Sequence, residues 1–150
     1  MDKWETRGLG IAKEVASWSS DPSTQLGAVA FSTRNRILAT GWNGFPRGIE
    51  ETEERLNNRE LKYKHVVHAE MNVIYNATSE GVSLDGSTLY IYGLPCCAEC
   101  AKGVIQVGIK KVICFIPRKS MMRTEWQISG EEARIMFNEA GVESQWRTIE

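Results

Sequence analysis

A chain of 150 residues is long enough for one domain with a real hydrophobic core, and 42% hydrophobic and 25% charged residues are ordinary for a soluble globular protein. The formal net charge of −1 disfavours a nucleic-acid polymer as partner, because domains that bind such polymers are typically basic. No apolar run approaches the roughly 20 residues of a membrane span, and the first residues lack the pattern of a signal peptide. We therefore expect a single domain over residues 1–150 with no membrane partner.

The apolar residues alternate between helical and strand periods along the chain. In chain order, the predicted elements are a helix over residues 4–18, strands over 26–31 and 37–42 joined by a hairpin, a helix over 68–78, a strand over 88–92, a helix over 97–107, a strand over 112–116, a helix starting at Ser129 and closed by Gly141, and a short terminal strand. The charged segment 47–62 lacks periodicity, which predicts a solvated loop with a short helix. Helices and strands that alternate around one sheet predict an α/β layered fold.

Two short motifs carry chemistry, His68-Ala69-Glu70 and Cys97-Ala98-Glu99-Cys100. One histidine and two cysteines can hold a zinc ion and leave its fourth position open for water, whose pKa zinc lowers to roughly 7. A glutamate two residues after the histidine can then move protons on and off that water. This H-x-E and C-x-x-C arrangement is typical of zinc-dependent nucleobase deaminases.

Other interpretations of these motifs are weaker. A lone C-x-x-C motif is also found in redox pairs and in structural zinc sites. A structural site usually has four protein ligands, and only His65 is an obvious fourth candidate. Glu70 also has no use in a structural site. Both motifs lie at predicted helix starts, where the helix dipole favours thiolate over thiol. Because zinc needs thiolates, we expect a reducing, cytoplasmic setting. Cys114 lies in a predicted strand and is expected to be a small core residue.

Four sequence blocks extend this pattern: Ser20 to Ala28, Gly41-Trp42-Asn43-Gly44-Phe45-Pro46-Arg47-Gly48, Val67 to Asn72, and Cys97 to Lys102. With these blocks the chain resembles the deoxycytidylate (dCMP) deaminases of the cytidine deaminase superfamily over roughly residues 4 to 145. The resemblance implies a three-layer α/β/α sandwich with a mixed five-stranded sheet. It also implies zinc-dependent hydrolytic deamination of dCMP to dUMP and ammonia, a homohexamer, and regulation in which dCTP activates and dTTP inhibits.

The resemblance also implies roles for individual residues. The zinc ligands would be His68, Cys97 and Cys100, and Glu70 would be the proton shuttle. Asn43 would contact the substrate sugar, with an αL turn residue before Gly44 as the alternative. Ala69, within the His68 motif, and Arg118, after a predicted strand end, are the other expected substrate-binding residues.

One departure from the family pattern affects the metal ligands. The family usually has proline directly before the first cysteine ligand, whereas Cys96 stands between Pro95 and Cys97 here. Only Cys97 has the two-residue spacing to Cys100, so a Cys96 and Cys100 pair is the alternative.

Positions for phosphates are less specific. Arg118, Lys119 and Arg123 follow a predicted strand end, where α/β sheets usually bind ligands, and the alternative is a solvated basic loop. Trp42 and Phe45 are candidates to stack on a base, with core or interface positions as the alternative, and a buried core position is favoured for Trp42. The triphosphate effector, with Mg²⁺ as a possible companion ion, is expected at Ser23, Thr24, Asn43, Gly44, Phe45, Arg47 and Gly48. The alternatives to a dCMP deaminase are another deaminase of the superfamily, acting on a nucleoside or a tRNA base, and a non-catalytic zinc module.

Overall fold

The computed structural model describes residues 1–149. Its helices and strands are, in chain order, α1 (Lys3–Ala16), β1 (Gly27–Phe31), β2 (Ile37–Trp42), α2 (Glu53–Asn57), α3 (Arg59–His65), α4 (Ala69–Ser79), β3 (Thr88–Tyr92), α5 (Ala98–Gln106), β4 (Lys111–Ile116), α6 (Thr124–Ala140) and β5 (Glu143–Thr148). A 3₁₀ turn at Lys119–Met121 precedes α6. Over the described part of the chain, no helix has the length and apolar character needed to cross a membrane.

The strands form one mixed sheet in the order β2-β1-β3-β4-β5. β1 pairs antiparallel with both β2 and β3, whereas β3 with β4 and β4 with β5 are parallel pairs. Helix α1 packs against β1 and β3 on a core that contains Ala12, Val29, Phe31, Tyr90, Ile113 and Phe115. A larger core joins the sheet to α4, α5 and α6. The predicted α/β sandwich with a mixed five-stranded sheet is therefore confirmed.

The observed strand boundaries agree closely with the predicted ones, but the start of the last helix does not. Helix α6 begins at Thr124, five residues before the predicted start at Ser129. Ser129 therefore lies in the second turn, and its hydroxyl accepts a hydrogen bond from the Ala98 backbone N–H at 2.9 Å instead of capping its own helix. Ser129 thus contacts another helix, although the local sequence predicted that it caps its own. Gly141 closes α6 in the left-handed region, φ 79°, as predicted.

The segment predicted as a solvated loop with a short helix contains two helices, α2 and α3. Thr52 and Asn58 accept hydrogen bonds from the first turns of these helices and cap them. Helix α3 buries Lys62, which forms an ion pair with Asp21 at 3.2 Å. The prediction that this segment is mainly solvated is wrong for Lys62. Its side chain is buried together with its charged partner Asp21, which lies outside the segment.

Trp42 was expected in the core, and this is wrong. It is 37% exposed on edge strand β2. Its ring packs edge-on against Trp18, with centroids 5.5 Å apart. Helix α1 ends at Ala16, so Trp18 lies beyond the helix and is free to make this surface contact.

Candidate active site

The side chains of His68, Glu70, Cys97 and Cys100 converge at one point. One ligand atom from each lies within 4.8 Å of the others. The Nδ1 atom of His68 lies 3.3 Å from Cys100 Sγ and 3.4 Å from Cys97 Sγ. A carboxylate oxygen of Glu70 lies 3.7 Å from the same nitrogen. The two motifs, almost thirty positions apart in sequence, thus form a single cluster.

Two helix starts bring these side chains together. His68 is the N-cap of α4, with extended backbone, and Glu70 is in the first turn. Cys97 is the N-cap of α5, and its Sγ accepts a hydrogen bond from the Cys100 backbone N–H at 3.4 Å. The partial positive charge at a helix N-terminus favours a thiolate there. The expectation that both motifs lie at helix starts is met, because each first ligand is the capping residue.

The protein environment promotes ionisation of one thiol. A hydrogen bond from Cys100, with a further one from His68, lowers the pKa of Cys97 to about 4. The bond to Cys97 raises the pKa of His68 to about 9, and the contact with Cys97 raises the pKa of the Cys100 thiol. The cluster therefore holds protons on His68 and Cys100 that a bound cation would displace, as metal binding at such ligands generally does.

The donor set fits a zinc ion. Zinc favours thiolate sulfur and imidazole nitrogen in tetrahedral geometry. Bond lengths of about 2.3 Å and 2.0 Å place such ligand atoms roughly 3.5 Å apart. The His68 Nδ1 to sulfur distances of 3.3 and 3.4 Å are close to that separation. Three ligands leave the fourth position for another molecule, which is the pattern of catalytic zinc sites.

Glu70 is the buried carboxyl group of the cluster, with 4% of its surface exposed. Burial raises the pKa of this carboxyl above its ordinary range. A cation beside it would oppose that shift, because it stabilises the ionised form. A buried carboxyl group beside a bound cation can take up and release a proton, as a general acid and base requires.

Cys96 is buried and is not one of the grouped ligand residues. It is 2% exposed, and its thiol donates to the Cys97 carbonyl at 3.6 Å. Burial raises the pKa of Cys96 well above its usual value and that of Cys114 to about 12. Cys114 is 1% exposed and lies in the core. The grouping of ligand atoms includes Cys97 and Cys100 and not Cys96.

A cavity opens onto the cluster. Its lining residues include Asp21, Leu26, Asn43, Arg59, Lys62, Tyr63, Glu70, Pro95, Cys97, Trp126 and Ser129. Arg59, Lys62, Tyr63, Trp126 and Ser129 were not among the predicted site residues. Arg59 and Lys62 lie three positions apart on α3, and the helix-capping residue Asn58 was the one local sign that they share a helix.

Asn43 lines this cavity while bracing the backbone near it. It is 3% exposed; its Oδ1 accepts from Leu26 N–H at 2.8 Å, and its Nδ2 donates to the Thr24 carbonyl at 2.9 Å. Within residues 1–149, the one non-glycine residue with positive φ is Asn35. The αL alternative for Asn43 is therefore wrong, and its side chain holds the loop before β1 against β2.

The other predicted binding residues divide among three places. Ser23, Thr24 and Asn43 line the cavity at the cluster. Arg118 lines an adjoining groove, which also includes Ser23 and Thr24.

The third place is a separate groove lined by Gly44, Phe45 and Arg47 together with Asn76 of α4. The Arg47 guanidinium donates to Asn76 Oδ1 at 2.6 Å. Gly48 follows in the left-handed region, φ 84°. Ala69, the first residue of α4, is fully buried next to the cluster.

An α/β/α sandwich that holds one imidazole, two thiols and a buried carboxyl at two helix starts defines the class of zinc-dependent deaminases. Residues 2–116 match the family of the cytidine and deoxycytidylate deaminase zinc-binding region. The chain belongs to this family, and it is a deaminase, hence a hydrolase.

Similar proteins extend over nearly the whole chain. An uncharacterized deaminase of Aliivibrio fischeri is 37% identical over 150 residues, which cover 100% of this chain and 97% of that protein. The deoxycytidylate deaminase of Homo sapiens is 37% identical over 149 residues, covering 93% of this chain and 77% of that protein. The dCMP deaminase of cyanophage S-TIM5, solved in complex with dCMP and dUMP, has a TM-score of 0.74 and 26% identity, covering 97% of this chain and 98% of that one.

Proposed function

We propose that this protein hydrolyses dCMP to dUMP and ammonia. The observation that carries the proposal is the cluster of His68, Glu70, Cys97 and Cys100. Three of its members, His68, Glu70 and Cys97, line a cavity that Arg59 also lines. The relatives named as deoxycytidylate deaminases and the phage enzyme solved with dCMP and dUMP support this choice of substrate.

In this mechanism His68, Cys97 and Cys100 would hold zinc, which would supply the Lewis acidity that lowers the pKa of water to near neutral. Glu70 takes a proton from the attacking water while the oxygen adds to C4 of the cytosine ring. One proton from water ends on ring nitrogen N3, and Glu70 delivers the other to the 4-amino group, which leaves as ammonia. The buried position of Glu70 keeps bulk water from competing for these protons.

Glu70→Gln tests this mechanism. The amide keeps the size of the side chain and cannot shuttle protons, so turnover should fall by at least about 100-fold while zinc content stays at one per chain. Zinc is measured by metal analysis and turnover by ammonia release. Near-normal turnover with full zinc content would contradict the role of Glu70. Failure of the wild-type protein to deaminate dCMP would overturn the proposed function.

We further propose Arg59 as the cation for the substrate phosphate. Lys62 is committed to Asp21 at 3.2 Å, whereas Arg59 is exposed at the cavity and forms no ion pair within residues 1–149. Arg118, which was expected to serve the substrate, lines the adjoining groove. Arg59→Ala should raise KM for dCMP and leave deoxycytidine turnover unchanged. Arg118→Ala is the matched comparison. If KM for dCMP rises in that variant alone, Arg118 and not Arg59 binds the substrate phosphate.

A regulatory site for a triphosphate is proposed at the groove of Gly44, Phe45 and Arg47. Arg47 supplies a charged donor, at present bonded to Asn76, and Phe45 packs against His65 with ring centroids 5.3 Å apart. A triphosphate, alone or with Mg²⁺, would exchange that bond for a phosphate contact and bias the arrangement of a homo-oligomer.

Arg47→Ala tests this regulatory site. It should reduce the response to dCTP and dTTP more than basal dCMP turnover. Loss of basal activity with a proportionally intact response would place Arg47 in the active site.

A further inference from the structure

Ser129 of α6 contacts the start of α5. Its Oγ accepts a hydrogen bond from the Ala98 backbone N–H at 2.9 Å. Ala98 is the first residue of α5 and directly follows Cys97. The first N–H groups of a helix have no partner within the helix. Ser129 therefore supplies, from another helix, the acceptor that Ala98 lacks in its own.

This hydrogen bond fixes the peptide unit that joins Cys97 to Ala98. The carbonyl oxygen of the same unit accepts from the Ala101 backbone N–H at 3.0 Å and from the Cys96 thiol at 3.6 Å. Both polar ends of one peptide are thus held by hydrogen bonds, and the plane of that peptide sets the ψ angle of Cys97, here 163°. The direction in which the Cys97 side chain leaves the backbone follows from that angle.

Close packing at Gly130 fixes the position of Ser129. A Cβ atom on Gly130 would lie 2.8 Å from Pro95 Cβ and 2.9 Å from Trp146 Cζ2. Only glycine allows α6 to come this near the segment before Cys97. The half-buried Ser129 lines the same cavity as Glu70 and Cys97. Its location beside the cluster is therefore a consequence of helix packing and not of a mobile loop.

We propose that Ser129 is a positioning residue that orients the Cys97 ligand through the Ala98 N–H. This inference rests on the proposed function in one respect, that the cluster holds zinc. Side chains that orient metal ligands typically change metal affinity or activity by roughly 10- to 100-fold when removed. Since Ser129 acts through a single backbone hydrogen bond, the lower end of that range applies.

The first test measures zinc transfer from the resting protein to a chromogenic chelator, without substrate. Ser129→Ala should release zinc about tenfold faster and lower kcat for dCMP by a similar factor, with KM changed less than about twofold. Ser129→Thr keeps the hydroxyl and should restore both values. Ser79→Ala, which removes an exposed hydroxyl at the end of α4, is the matched control and should change neither.

Ala98→Pro tests the same bond from the donor side. Proline is well tolerated at the first position of a helix, and the extended backbone of Cys97 suits a following proline. The proline Cδ would take the place of the amide hydrogen that points at Ser129 Oγ 2.9 Å from the nitrogen, so Ala98→Pro is made in the Ser129→Ala background. If Ser129 acts through Ala98, adding Ala98→Pro to Ser129→Ala should not change zinc release further.

Unchanged zinc release in Ser129→Ala would overturn the proposal. A raised KM with unchanged kcat in Ser129→Ala would also overturn it, because the hydroxyl would then be a substrate contact. Should Ala98→Pro fail to fold, the comparison of alanine and threonine at Ser129 decides by itself. Since zinc release needs no substrate, a failure to deaminate dCMP would count against the proposed function alone.

Discussion

Lys62 and Asp21 form a buried ion pair, and we expect removal of Asp21 to destabilise the protein more than removal of Lys62. The charged atoms are 3.2 Å apart, and the side chains are 10% and 9% exposed. Removing one partner of a buried pair typically costs about 3–5 kcal/mol because the other charge stays buried alone. Asp21→Asn keeps the size of the side chain and strands the Lys62 ammonium. We expect a loss of about 3 kcal/mol in the free energy of unfolding, which is roughly 6–12 °C in Tm for a chain of this size.

Lys62→Met should cost less than Asp21→Asn. The Asp21 carboxylate also accepts the backbone N–H groups of Ser23 at 2.8 Å and Thr24 at 3.0 Å. These bonds continue to stabilise the carboxylate after the ammonium is removed, so a loss of about 1–2 kcal/mol is expected. The double variant leaves no buried charge and should be no less stable than Lys62→Met.

Urea unfolding of the zinc-loaded protein, followed by tryptophan fluorescence, measures these differences. Lys64→Met is the matched control, because Lys64 lies on the same helix and pairs with Glu60 at 3.7 Å, with side chains 65% and 81% exposed. That exposed pair should contribute less than about 0.5 kcal/mol. Equal losses for Asp21→Asn and Lys64→Met, or a double variant as unstable as Asp21→Asn, would refute the reasoning.

Three further outcomes follow from packing and from the thiols. Gly27→Ala places a Cβ 2.2 Å from a backbone oxygen of α1 and should destabilise the protein by about 3 kcal/mol or more. Gly10→Ala meets nothing within 4 Å and should stabilise α1 by up to about 1 kcal/mol. Urea unfolding measures both changes. Cys96→Ala should retain zinc by metal analysis, whereas Cys97→Ala should lose it; the opposite result would mean that Cys96 is the ligand. In metal-free protein at pH 6, Cys97, with a pKa of about 4, is ionised and should react with iodoacetamide, whereas buried Cys114, with a pKa of about 12, should not, as peptide mass mapping would show.

The sequence was sufficient to predict the cluster because its chemistry is local. His68 and Glu70 share one helix start, and Cys97 and Cys100 share another, so residue type and spacing determine each half. The alternation of helices and strands likewise predicted the layers. That the two halves meet is a property of the sheet, since α4 and α5 lie on the same face of it.

The cavity wall could not be predicted in the same way. Trp126 and Ser129 reach the site from α6 through tertiary packing, and Ser129 followed by Glu132 has the pattern of a helix cap. Lys62 was assigned to solvent because its partner Asp21 is distant in sequence. Side chains whose role depends on a partner in another element carry no local signal.

The two faces of the sheet are covered unequally, and this has a consequence for local opening. One face carries three helices, which include the ligand-bearing α4 and α5, whereas α1 packs on the other. Helix α1 is tied to β5 by Glu5 and Arg147 at 3.2 Å, and the second carboxylate oxygen of Glu5 is buried with no hydrogen-bond partner within residues 1–149. In amide hydrogen exchange, α1 should therefore open as a separate cooperative unit at lower free energy than α4 and α5. The backbone amides of α4 and α5 on the metal-binding face would stay protected from exchange while α1 opens.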